Sequence, residues 1–189
     1  MRPHPEVPRV DHWPQALRSA ATLTGTLVKC GPGLRPVAWP ETPAARCAAI
    51  GGQLSDRYAA IEDTAAWVWG ARRSPGSPLR LATLGGRAPA SFERRASEDV
   101  LVSTFRLLPE DLVAIAAFAV TSRARTAFDL LRAPTQFGAA RRVACRLLFV
   151  AEPGSSSEVR RRARGASRTD RARIQRRLSE LHGAAPLPA

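Results

Sequence analysis

LVAIAAFAVTSRARTAFDLLR, residues 112–132, decides how this chain is read. An apolar run stops at Thr121–Ser122 and a basic, helix-periodic pattern starts directly after it. A Thr or Ser at such a joint accepts from the orphan backbone N–H groups of a first helical turn, so the stretch predicts a buried strand feeding a hydroxyl-capped helix. Val113–Ile115 and Phe118–Val120 read as two short strands kinked at Ala116–Ala117, or as one continuous strand.

Upstream, Pro14–Ala21 predicts a short helix, and GTLVKCGPGLRPVAW (25–39) two strands around a Gly-Pro-Gly turn. Pro36 weakens the second of these or places it at an edge. Thr42 predicts an N-cap with Pro43 at the first helical position, and Gly51–Gly52 ends that helix. Ser55 is expected to cap a second helix, Asp56 to about Trp69, with Tyr58, Ile61, Ala65 and Val68 on one face and Gly70 after its end. ARRSPGSP (71–78) reads as a loop, Leu79–Leu84 as a strand, Gly85–Pro89 as a break and Asp99–Phe105 as a strand.

Downstream, a helix is expected from Thr135 to about Val150. Phe137, Ala140, Val143, Ala144, Leu147 and Leu148 share one arc, with Arg142 and Arg146 opposite and Arg141 at the edge. EPGSSS reads as a linker. Thr169–Leu181 reads as a last helix with Ile174, Leu178 and Leu181 as its seam, docked on the body. The expected class is α+β: a small mixed or antiparallel sheet packed by helices, with a remnant N-terminal wing and a basic C-terminal helix. The expected organisation is a partial winged-helix-like region at 1–40, a main domain at 41–150, and a linker with a basic helical tail at 151–189.

Composition narrows the function. No apolar stretch approaches the roughly 20 residues that cross a bilayer, the longest being the nine of Leu112–Val120. The N-terminus has no apolar signal core, so a cytoplasmic protein without a membrane partner is expected. Cys30, Cys47 and Cys145 are odd in number and scattered, which argues against a disulfide framework or a zinc site. The formal charge is +13, and all the basic residues but Lys29 are arginine. With so much Ala, Gly and Pro, part of that excess reads as GC-rich coding. The distribution tells more: residues 1–122 carry 14 basic and 11 acidic groups, residues 123–189 carry 15 and 5. A basic half favours a polyanionic partner, most plausibly nucleic acid.

The chain offers little for catalysis. His4, His12 and His182 sit near the ends with no partner for acid–base or metal chemistry. No phosphate-loop pattern exists, and Gly31, Gly33, Gly85 and Gly86 read as turn glycines. Glu98–Asp99 and Glu110–Asp111 are acidic pairs at strand edges or turns, where solvated carboxylates are expected. Asp129 has Arg125 and Arg132 at helical spacing and reads as an ion pair. Trp67 and Trp69 read as core. No enzyme, cofactor or metal is expected. The nucleic-acid candidates are Lys29 and Arg35 on the wing, Arg125, Arg141, Arg142 and Arg146, and in the tail Arg160, Arg161, Arg162, Arg171, Arg173 and Arg177.

LSDRYAAIEDTAAWVWGA (54–71), LRLATL (79–84), VLVSTFRLLPEDL (100–112) and FAVTSRARTAFDLLR (118–132), in that order, resemble the AbiEi family of type IV toxin–antitoxin antitoxins, in the style of its actinobacterial members. Arg57, Ala59, Ala60, Trp69, Gly70, Thr121, Ser122, Arg125, Thr126, Asp129 and Leu130 fit the family's segments. The resemblance runs from about Glu41 to Arg146, and loosely to Leu181. It implies an antitoxin and transcriptional regulator that binds its own operator through an N-terminal winged helix. It also implies a nucleotidyltransferase-like toxin encoded nearby, antagonised functionally and not by a stable complex. The front departs from the pattern, because the 40 residues before Glu41 are too few for three helices and a wing. Two alternatives follow: a truncated, non-enzymatic protein-interaction module, or a relative of a magnesium-dependent nuclease using Asp99 or Asp111.

Overall fold

The computed structural model describes residues 7–85 and 99–183. It has the expected α+β class, with seven helices and two sheets among the described residues. Helix α1 (Gln15–Leu23) leads into a hairpin of β1 (Leu27–Cys30) and β2 (Gly33–Pro36), then α2 (Pro43–Ala49). Thr42 caps α2 by accepting from the Ala45 N–H at 3.2 Å, with Pro43 at the first turn as expected. Next come β3 (Tyr58–Ala60), α3 (Glu62–Val68), β4 (Leu79–Thr83), β5 (Val100–Ser103), a single 3-10 turn at Pro109–Asp111, β6 (Leu112–Ile115) and β7 (Phe118–Thr121). Four helices close the chain: α4 (Arg123–Arg132), α5 (Ala139–Ala151), α6 (Ser155–Arg164) and α7 (Arg168–Gly183).

The five-stranded sheet is mixed, in the order β5-β4-β3-β7-β6. β3 runs antiparallel to β4 and parallel to β7; β4 and β5 are parallel; β6 and β7 form an antiparallel hairpin. The apolar run of 112–120 is thus two strands, turned at Ala116, which adopts φ 52°. The period-2 alternation sorts side chains by face. Ala60, Leu81 and Val120 are registered side by side and pack with Cys47 of α2, Ile50 just after it, and Ala65, Trp67 and Val68 of α3. Ala59, Ala82 and Ala119 occupy the other face, where their small side chains leave room for Phe105 and Leu107.

A second core is helical. α4 buries eight of its ten residues and sits at the centre. Around it gather Ala144, Cys145 and Leu148 of α5, Val159 and Ala163 of α6, and Ile174, Leu178 and Leu181 of α7. Cys30 of the hairpin shares a core with Cys47, and Leu148 shares one with Val159 and Ile174.

Three local expectations fail for identifiable reasons. Tyr58–Ala60 is a strand, and Ser55 closes a turn in which its oxygen accepts from the Arg57 N–H at 3.3 Å. The helix begins only at Glu62; Tyr58, Ile61, Ala65 and Val68 fit a 3.6 period by coincidence, and pairing with β4 and β7 overrides it. The linker EPGSSS shrinks to three residues. Ser155–Ser157 form the first turn of α6, entered through Gly154 at φ 93°. The third is α5, which starts at Ala139 and buries Ala144, Cys145 and Leu148 but leaves Val143 and Leu147 in solvent. Gly86, Pro89, Glu98 and His4, and the side chain of His182, lie outside what is described.

Close approach explains one glycine. A Cβ on Gly33 would lie 1.9 Å from the Ala49 carbonyl oxygen, so the hairpin reaches α2 only because no side chain intervenes. Gly33→Ala is expected to lower stability by about 1–3 kcal/mol or more. Gly138→Ala, where the added methyl meets nothing within 4 Å, serves as the control. Urea denaturation of both variants checks this.

Candidate nucleic-acid interface

The Thr121–Asp129 segment is a joint held from inside. Ser122 accepts from the Arg125 N–H at 3.2 Å and caps α4, as the sequence predicts. The Thr126 hydroxyl bonds the Thr121 hydroxyl at 2.8 Å, and the Trp69 indole donates to the Thr121 carbonyl at 2.8 Å. Arg125 is 8 % exposed; it donates through Nε to Asp129 at 2.9 Å and through Nη1 to Asp111 at 2.6 Å. Arg132 stands 3.5 Å from the other Asp129 oxygen. Thr121, Arg125, Thr126 and Asp129 are thus all buried, and Ser122 is partly so.

Asp111 is the residue sequence reading misplaced. It was expected solvated at a turn, yet it is 1 % exposed. Its carboxylate accepts from the Leu108 N–H at 3.0 Å, from Arg125, and from Arg162 of α6. One buried carboxylate thus ties the 3-10 turn, α4 and α6 together. Within α6, Glu158 stands one turn before Arg162 and lies 2.7 Å from its Nε. Leu108-Pro-Glu-Asp111 forms a single turn in which the Asp111 carboxylate caps the Leu108 N–H. Nothing nearby in sequence signalled the two arginines, which are 14 and 51 residues away.

The candidate arginines separate into two sets. Arg125, Arg162 and Arg177 are structural clamps. Arg177, 5 % exposed, donates to the carbonyls of Leu131, Ala133 and Thr135 at 2.7–2.9 Å and stacks over Phe137 at 5.0 Å. Burial, with Arg173, Arg176 and Arg141 close by, pulls its pKa below the ordinary arginine value. Arg141 holds Asp63, its Nη2 at 2.7 Å, and Arg72 takes the other oxygen at 2.7 Å. Arg35 turns onto the Trp39 carbonyl at 2.5 Å, Arg146 onto the Leu181 carbonyl at 3.1 Å, and Arg173 bridges Asp170 at 2.6 Å and the Arg132 carbonyl at 2.8 Å. Arg161 is exposed but forked on Glu158, both bonds 2.7 Å. These side chains are engaged by acceptors within the protein.

The other set faces solvent. Lys29 lies on the hairpin and Arg142 on α5, both exposed. On α6 and α7, Arg160, Arg164 and Arg171 line one cleft of about 660 Å³ with Gln175 and Ser179, and no carboxylate lines it. Arg171 caps α6, donating to the Ala163 carbonyl at 3.2 Å and to the Arg164 carbonyl. Its guanidinium is held in place by these carbonyls, and the residue is exposed at the lining of the cleft. Arg168 and Arg176 are exposed on the same helix α7. Over 155–183 the sequence places nine arginines against three carboxylates.

Other chemistry is thinly represented. Burial pushes the Cys47 and Cys145 thiols up to about 12 and raises Cys30 as well, so all three are poor nucleophiles at neutral pH. Among the described residues no three His, Cys, Asp or Glu side chains gather as a metal site requires. Asp99 is exposed, and Asp111 already accepts from two guanidinium groups. No described helix is long and apolar enough to cross a membrane.

Glu62 is the one strained acid among the described residues, at φ 47° on the first residue of α3. Burial, with Asp129 and Asp63 nearby, raises its pKa against the opposing pull of Arg80 and Arg141. A raised carboxyl pKa stabilises the fold fully below the unfolded value of about 4.3 and loses that contribution as pH rises through the folded pKa. Glu62→Gln is therefore expected to raise the denaturation midpoint at pH 7 and to leave it unchanged below about pH 4. Urea midpoints measured across that range check it.

Compared with known protein families, curated proteins and solved structures, the chain matches none of them.

Proposed function

We propose that this protein is an AbiEi-like regulator of the antitoxin type, non-enzymatic, which holds nucleic acid by its phosphate backbone. The observation that carries the reading is the α6–α7 cleft, which three arginines and no carboxylate line and where one of the three is held in advance by backbone carbonyls. Guanidinium groups so placed suit phosphate oxygens, and pre-ordering reduces the entropy lost on binding. The order of segments resembling that family supports the regulatory role. A neighbouring gene for a nucleotidyltransferase-like toxin is expected, with no stable complex between the two proteins.

The wing candidates contribute less. Lys29 is exposed on the hairpin, but Arg35 is spent on carbonyls of its own loop. The reading is accordingly of backbone holding with little direct base readout. Fluorescence anisotropy with a labelled mixed-sequence duplex tests it. Binding is expected at low salt and a loss of at least tenfold in affinity between 50 and 200 mM salt, of the order that several phosphate contacts give. Absence of binding at low salt, or an affinity indifferent to salt, rejects it.

A further inference from the structure

Helix α5 carries a second apolar face that the fold does not use. Ala140, Val143, Leu147 and Val150 follow one another at spacings of three, four and three, the seam of a helix that packs against another helix. All four are exposed: Val143 by 39 %, Leu147 by 46 % and Val150 by 81 %. The opposite face, with Ala144, Cys145 and Leu148, already fills the helical core. Helical periodicity places Arg142 along one edge of the seam, followed one turn later by Arg146, whose charge stays at that edge while it donates to the Leu181 carbonyl at 3.1 Å. The helix itself holds no carboxylate, and Arg142 enters no ion pair among the described residues.

We infer that this face docks an amphipathic helix of a partner protein, with apolar residues at matching spacing and aspartate or glutamate along its flank. Charge selects this occupant. In a twofold antiparallel pairing of two copies about the middle of the seam the same edge of each helix meets, so Arg142 of one copy would lie across from Arg146 of the other. An acidic flank converts that repulsion into attraction and steers the encounter. A lipid surface suits the seam less well. It is narrow and aliphatic, while Phe149, the one aromatic of the helix, packs against the core. α5 has thirteen residues, about 20 Å of helix, which is room for nearly two heptads of partner. The inference does not depend on the nucleic-acid reading, since it uses another face and other residues.

The probe is a fluorescent synthetic helix with leucine at the a and d positions and glutamate at e and g, titrated with the full chain. A second peptide has lysine in place of glutamate. The glutamate peptide is expected to bind, the lysine peptide to bind at least tenfold more weakly, and Leu147→Glu and Val150→Glu each to weaken the glutamate peptide at least tenfold. Val150 is mostly exposed, so its variant is expected to keep the wild-type melting temperature and so to report on docking alone. Equal binding of both peptides, or binding untouched by Val150→Glu, overturns the inference. So does sedimentation showing a dimer that Val150→Glu dissolves, or flotation on anionic phosphatidylglycerol vesicles that the same substitution abolishes.

Discussion

Asp111→Ala is expected to remove about 3–5 kcal/mol of stability, the cost of leaving buried charge without its partner. Arg125 and Arg162 both donate to this carboxylate, which is 1 % exposed. Arg125 would keep Asp129, but Arg162 would keep only the half-buried Glu158. The Leu108 N–H would lose its acceptor too. Asp111→Asn is expected to cost almost as much, because the amide retains the shape and loses the charge that two guanidinium groups require. For a domain of this size, a loss of that order lowers the melting temperature by roughly 10 °C or more. Calorimetry of both variants reads it directly. A shift within 2 °C for Asp111→Ala would mean the network contributes nothing net.

Arg177→Ala follows, with an expected cost of about 2–4 kcal/mol. Its guanidinium satisfies three carbonyls in the chain that leaves α4, at Leu131, Ala133 and Thr135, and lies over Phe137. Removing it strands acceptors in a partly buried turn and opens a gap beside the ring. Arg177→Lys is expected to recover little. One ammonium lacks the planar fork that reaches all three oxygens. The same contrast decides function, because neither substitution is expected to alter the salt slope of nucleic-acid binding in the protein that remains folded. Denaturant titration and anisotropy on one sample check both halves. Recovery of most of the lost stability by lysine would show that charge alone matters there.

These two residues show how far the sequence could be read. The joint at Thr121–Ser122 was legible because an apolar run, a hydroxyl cap and a helical period all agree within a few residues. The Asp129 ion pair was legible for the same reason, its partners being one turn away on the same helix. α6 was not. Its apolar stripe is only Val159 and Ala163, too thin to distinguish a helix from a charged linker, and what fixes it is a carboxylate 51 residues upstream. β3 was missed because three residues, two of them alanine, carry no strand signal until β4 and β7 lie on either side. The arginine surplus was visible, but its division into clamps and free cations depends on tertiary neighbours. Arg162 and Arg164 stand on one short helix and have opposite fates.

The central claim is that the cleft arginines, and not the clamped ones, hold phosphate. The most direct measurement is the slope of log affinity against log salt for a mixed-sequence duplex, compared between the wild type and Arg160→Ala/Arg164→Ala. Each lost phosphate contact is expected to flatten the slope by about 0.9, so the double variant should lose between about one and two units at an unchanged melting temperature. An identical slope in wild type and variant, both folded, would contradict the assignment of the interface to α6 and α7.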